Sequence, residues 1–293
     1  MFSKQFESDS PPLPACLAAE GMAGRLAEIA GDDLKQACIV FRGGRAEFYY
    51  DDGDAESVAR SVVRGMRKQP GAVKQYARDF AAHAKSEEGF AGSMPPAGAP
   101  AESLAEALEG FAELYSVTEA FAALGRFSLA RLESEARACL ETHLRKKGRG
   151  ERISEILSGK PGKIQAGVTP AEAIVQEEVP SICRPYLDAL PAIRKIQSKA
   201  VAANAACLKS AGPLFSESAK RLKLKPEEFR WLLPSESATG LRAGSNLRPL
   251  ARERMRHCIF SQKEGFGVFY VGQNAAVFAK EVLGLHRDHA ANK

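Results

Sequence analysis

Histidine, cysteine and clustered arginine are the residues of this chain whose types could do chemistry, and their spacing limits what that chemistry can be. The five histidines are His83, His143, His257, His286 and His289. The last two stand three apart, a spacing that serves a metal only on an ordered helix with further ligands, and they fall in a polar tail. The cysteines, Cys16, Cys38, Cys139, Cys183, Cys207 and Cys258, are scattered, and no two have the two-residue spacing of a zinc or redox motif. They read as reduced, buried thiols, so no metal and no cofactor is expected. No His-Glu-x-x-His or Gly-x-Ser-x-Gly stretch occurs, and local spacing assembles no cysteine beside a histidine base. No catalytic residue can be assigned on these grounds.

Two glycine-rich stretches fail as phosphate loops. In "GFGVFYVG", Tyr270 stands where the dinucleotide fingerprint needs glycine, and the glycines lie within a hairpin pattern. In "GKPGKI", Ile164 replaces the hydroxyl that would hold magnesium. What remains is basic. One cluster is Arg145, Lys146, Lys147, Arg149, Arg152, Lys160 and Lys163; the other is Arg242, Arg248, Arg252, Arg254 and Arg256, followed by His257. The second set, with Pro234-Ser235-Glu236 and the exposed edges of the hairpin stretches "CIVFRGGRAEFYY" and "CIFSQKEGFGVFYVG", is the candidate contact surface, for an acidic partner, a partner strand or a small phosphate or carboxylate. Aromatic residues that could stack bases are not interleaved with either cluster, so nucleic-acid binding is the weakest reading.

The elements that must position these residues follow from periodicity and punctuation. "CIVFRGGRAEFYY" and "CIFSQKEGFGVFYVG" each read as two short strands around a tight turn, each followed by a helical pattern, so a β-β-α unit is expected near both ends. Asp54 is the expected cap of the first of these helices. Between the units lies a helical body. Ser103 and Glu106 suggest a capping box, and an apolar stripe runs from Leu104 to Leu124. Gly125 should break that helix into a helical hairpin. Residues 146–168 should hold one short helix, and Thr169-Pro170-Ala171-Glu172 should open another. The fold class is therefore mainly α with two β-hairpins, an α+β protein. The expected organisation is an N-terminal arm and first β-β-α unit over 1–88, a flexible loop over 89–102, a helical body over 103–247, a second β-β-α unit over 248–284, and a loose tail over 285–293. An isolated two-stranded hairpin is marginal in water, so the two hairpins should pack on helices or pair with each other.

The bulk composition is that of an ordinary globular protein, 45% hydrophobic and 26% charged over 293 residues, with a net charge of +5 that favours anionic partners weakly. The opening "MFSKQFESDSPPLPAC" has neither a secretory apolar core nor a transit-peptide helix, and no run reaches the ~20 apolar residues of a membrane span. A cytoplasmic location without membrane contact is the expectation.

Three stretches taken together carry a resemblance. "ESLAEALEGFAELYSVTEAFAALGRFSLARLESEARACL", "KPEEFRWLLPSESATGLRAG" and "ARERMRHCIFSQKEGFGVFYVGQNAAVFAKEVLG" are similar in order and character to the helical connecting segment of phosphoenolpyruvate-utilising phosphotransferases related to phosphoenolpyruvate synthase. The resemblance spans roughly residues 30–284. That family's chemistry needs an ATP-grasp site and a swivelling phosphohistidine, and neither motif is written here, so no catalytic residue is carried over. The resemblance implies a stand-alone connecting domain, a non-catalytic scaffold or substrate-positioning subunit whose partners are separate ATP-grasp and phosphohistidine proteins. The alternative from another class is a small-anion binding protein or enzyme with a pocket between the helical groups.

Overall fold

The computed structural model describes residues 2–42, 44–69, 71–145, 150, 153–158 and 179–285. Both hairpins are present, and they do pair with each other. β2 (Gln36–Arg42) and β3 (Arg45–Asp51) form the first; β4 (Cys258–Lys263) and β5 (Phe266–Val271) form the second. β2 lies antiparallel to β4, with Ile39 opposite Phe260. A fifth strand, β1 (Phe2–Ser8), adds to the outer side of β3, giving the order β1-β3-β2-β4-β5. The polar N-terminal arm is therefore an edge strand. Its alternation is masked by a bulge between Lys4 and Phe6, which breaks the period of two that identifies a strand.

The pairing gives the sheet a local two-fold symmetry. Both hairpins turn through two residues, between Arg42 and Arg45 and between Lys263 and Phe266. Matching those turns makes Ile39 the counterpart of Phe260, and the axis passes between these two paired residues. The shared Cys-Ile of the two sequences is offset from this match by one residue. Cys38 faces one side of the sheet and Cys258 the other, as a one-residue slip requires. The symmetry stops at the strands. α3 (Asp52–Lys68) covers the same face as Ile39 and Phe48, whereas the last helix, α12 (Gly272–Glu281), covers the face of Cys38 and Ile259.

The helical body is built on one spine. α5 runs unbroken from Ala101 to Leu144, 44 residues, or about 66 Å at the α-helical rise. Gly125 does not interrupt it. A Cβ there would stand 2.6 Å from the Cβ of Gln197 on α7 (Arg184–Ser210), so the glycine permits close approach of two long helices. The N-terminal half of α5 packs in one core with Leu214, Phe229 and Leu241, and its C-terminal half in another with Ile193, Val62 and Phe48. The expected loop over 89–102 is shorter than that, since α4 (Ala72–Gly92) continues to Gly92 and α5 begins after Pro100. The linker is held by Arg221, which donates to the carbonyls of Gly98 and Ala99. Asp51, not Asp54, caps α3, its carboxylate accepting from the Gly53 amide at 2.8 Å.

Before the sheet, α1 (Pro12–Glu20) passes through a π turn at Gly21–Arg25 into α2 (Leu26–Ala30). α6 (Ile153–Ser158) is the short helix expected there. The predicted helix start at Thr169–Glu172, His286, His289 and most of the first basic cluster lie outside the described residues. Among the described residues no helix is long and apolar enough to cross a membrane.

Candidate functional site

The second arginine set lies on α10 (Pro234–Ala243), on α11 (Arg248–Arg256) and in the turn after it. The expected second β-β-α unit, 248–284, opens instead with a helix that runs to Arg256. Most of these guanidinium groups are already occupied. Arg242 donates to Glu102 at 2.9 Å and to both oxygens of Glu109 on α5. Arg248 reaches the Lys223 carbonyl and Glu228, and Arg252 donates to Glu228 at 2.8 Å. Glu228 also accepts from the Lys225 amide, its largest influence, and these contacts hold its carboxyl down at about 2.

Arg254 is the most enclosed of the set, 5% exposed. It grips both oxygens of Glu236, donates to the Trp231 carbonyl at 2.9 Å, and lies 3.8 Å over the Phe269 ring on β5. Glu236 in turn accepts from the Leu233 amide at the start of α10. Arg254 therefore fastens the second hairpin to the helical body. Of the arginines named, Arg256 alone has no carboxylate partner among the described residues, and it precedes His257 at the entry to β4. The set is brought together in part, as a structural clamp with one unpaired cation beside it.

The unsatisfied surface is one element further on. β3 is covered on its outer side by β1, whereas no described strand pairs with the outer side of β5. Side chains on the α12 face differ accordingly. On β3 they are Arg45 and Glu47, paired with Glu7 at 3.2 Å and Lys4 at 2.8 Å of β1. Their counterparts on β5 are Phe266 and Val268, 75% and 47% exposed. Tyr270, next on that face, stacks on Phe278 of α12 with ring centres 4.2 Å apart, and the helix shelters nothing beyond it. An edge strand left open is ordinarily guarded by charge or proline; this one carries apolar residues. Gly267 between them faces the body, where any Cβ would fall 2.7 Å from the Phe260 ring. The sequence carried this feature in the pattern of "FGVFY", but the partner of each strand, and so which edge stays open, was not legible in it.

Polar groups also lie between the helices. Thr118 of α5 donates to Glu87 of α4 at 2.6 Å, and His83 lies 2.8 Å from the same hydroxyl. Burial raises the Glu87 carboxyl, offset by Thr118 and His83. Further along, burial pushes the Glu119 carboxyl up, opposed by Arg126 and the Asn204 amide, and its Oε2 has no hydrogen-bond partner. Neither acid lines either of the two grooves around Phe80 and Phe215. One groove, of about 710 Å³ between α4 and α7, is walled by alanines, Phe80 and Ile196, with Lys85, Lys195, Lys199 and one carboxylate, Glu88, also lining it. A smaller one of about 250 Å³ lies around Pro14, Phe215 and Phe229.

The cysteines are not all separate thiols. Cys139 of α5 and Cys183 at the start of α7 form a disulfide, their Cα atoms 5.7 Å apart. His143, one turn along α5 from Cys139, completes a cluster with them whose donor atoms all lie within 4.8 Å of one another. The spacing of Cys139 and His143 was readable as one helix face; the arrival of Cys183 was not. The other four thiols are buried, and burial pushes Cys38 up to about 11 and Cys207 and Cys258 to about 12. They are protonated and unreactive at neutral pH.

Comparison of the chain with protein-family models, with curated proteins and with solved structures finds no match.

Proposed function

We propose that this chain is a non-catalytic scaffold or substrate-positioning subunit of a split phosphoenolpyruvate synthase-like phosphotransferase, working in the cytoplasm with separate ATP-grasp and phosphohistidine proteins. The observation that carries the docking part of this reading is the outer edge of β5. Its backbone is unpaired by any described strand, its outward apolar residues are Phe266 and Val268, and its counterpart β3 is covered by β1. The occupant that fits is an extended segment of the partner, added antiparallel as β1 is on β3. Arg256, without a carboxylate partner among the described residues, lies at the end of the β4–β5 hairpin away from its turn and favours an acidic residue at that end of the segment. The family assignment itself rests on the sequence resemblance, and saturation of Arg242, Arg248, Arg252 and Arg254 by carboxylates favours a structural use of those residues over an anion site.

The test is direct binding of the purified chain to an ATP-grasp protein and a phosphohistidine-domain protein encoded beside it. A complex that forms with the wild type and is lost in Val268→Asp, with the unfolding midpoint unchanged, supports the reading. A wild-type chain that binds neither overturns it.

A second reading has one observation in its favour, the groove between α4 and α7. Apolar walls with Lys85, Lys195 and Lys199 among the lining residues suit an amphipathic anion. Titration with an alkyl phosphate that saturates the wild type and fails with Lys195→Glu would favour that reading over the scaffold.

A further inference from the structure

We propose that Cys139, His143 and Cys183 form a redox-gated zinc site, in which the reduced chain holds Zn²⁺ through two thiolates and an imidazole and the oxidised chain replaces the metal with the disulfide. Three observations converge on it. The first is the ligand set, two sulfurs and a nitrogen whose donor atoms lie within 4.8 Å of one another. Tetrahedral zinc needs sulfurs roughly 3.8 Å apart, from Zn–S bonds of about 2.3 Å. Rotation of two cysteine side chains after the S–S bond opens supplies that separation without moving either helix.

The second is the orientation of His143. Its Nδ1 lies 2.9 Å from the Cys139 carbonyl oxygen. A carbonyl can only accept, so Nδ1 carries the proton and Nε2 keeps its lone pair for a metal. The same helix thus supplies a thiolate, an imidazole and the backbone acceptor that fixes the tautomer.

The third is placement. Cys183 is fully buried at the N-terminal end of the 27-residue α7, where the helix favours negative charge, while Cys139 and His143 are half-buried. Solvent reaches the cluster from the α5 side, which leaves room for water as the fourth ligand. The four remaining cysteines are free and buried, Cys16 lying close enough to Cys258 to feel its charge, so the Cys139–Cys183 pair is where metal and oxidant reach sulfur from solvent.

The exchange balances. A low-molecular-weight disulfide oxidises the two zinc-bound thiolates. The new bond joins Cys139 Sγ to Cys183 Sγ, the bond in the small disulfide breaks, two electrons pass to it, two protons from solvent complete its thiols, and Zn²⁺ departs. Either state ties the end of α5 to the start of α7, across a sequence separation of 44. The reduced, metal-free chain lacks that tie.

Cobalt(II) reports the site, because tetrahedral cobalt–thiolate centres absorb visibly. The full chain is reduced with a phosphine, freed of it, and titrated with cobalt. The expected result is a thiolate–cobalt spectrum saturating at one ion per chain, displaced by zinc and erased by adding a low-molecular-weight disulfide. Cys139→Ser abolishes it. His143→Gln, on a half-buried helical surface and expected to fold, weakens cobalt binding by at least ~10-fold, the loss typical even for an outer partner of a metal ligand. Folded reduced wild type that shows no such spectrum, or His143→Gln that binds cobalt as tightly as wild type, overturns the proposal.

Discussion

Arg254 shows how a single residue can mislead when read from sequence. In a run of arginines it reads as one more surface cation; in the structure it is buried, bidentate to Glu236 and stacked on Phe269. Removing one partner of such a pair strands the other, so Arg254→Ala should lower unfolding free energy by about 3 kcal/mol. Arg256→Ala, two residues on and without a carboxylate partner, should stay within about 0.5 kcal/mol. Denaturant unfolding of the two variants checks both. Docking is therefore tested at Arg256 or Val268, because a change at Arg254 confounds binding with folding. Glu119 gives a second prediction at this scale. Its carboxyl is raised in the folded chain, chiefly by burial, so the folded state holds a proton that the unfolded state has released. Its contribution is complete below the ordinary carboxylate range and drains away as pH rises through the elevated folded value. Glu119→Gln should flatten the fall in stability as pH rises above the ordinary carboxylate range. A pH series of thermal midpoints unchanged by the substitution would show that Glu119 is ionised in the native protein.

At the scale of elements, the helix and hairpin patterns were legible because each is local. The strand residues Cys38–Phe41 and Phe48–Tyr50 and the apolar stripe of α5 all follow from neighbours a few positions away. What was not legible depends on partners distant in sequence. Gly125 looks like a breaker because glycine costs about 1 kcal/mol in a helix, yet its cause is Gln197 on another helix. Gly125→Ala should therefore destabilise the chain by about 1–3 kcal/mol through overpacking, against the helix propensity gained. A stabilised variant in thermal unfolding would mean the α5–α7 contact yields. β1 was missed for the same kind of reason. Its bulge hides the alternation, and its partner β3 begins some forty residues later. Of the candidate contact residues, the sequence located the right region but not its division of labour. Arginines on α10 and α11 secure the fold, and the adjacent strand β5 is left open.

For the molecule as a whole, one spine helix passes through two cores and packs Phe127, at its middle, on Tyr50 of a sheet whose two outer edges are treated differently. β1 closes one edge with charge pairs; no described strand covers β5 at the other, where Phe266 and Val268 are exposed. That asymmetry in a nearly symmetric set of four strands is the basis for the proposal that β5 receives a partner strand. The polar groups inside, His83, Glu87 and Thr118, link α4 to α5 and, like Glu119, line neither of the two grooves described. The most direct test compares phosphoryl transfer to and from phosphoenolpyruvate by the chain alone, by separate ATP-grasp and phosphohistidine proteins together, and by all three. The account predicts no transfer by the chain alone and a gain in turnover when it joins the other two, lost with Val268→Asp. Transfer by the purified chain alone, abolished by Glu119→Gln, would contradict it.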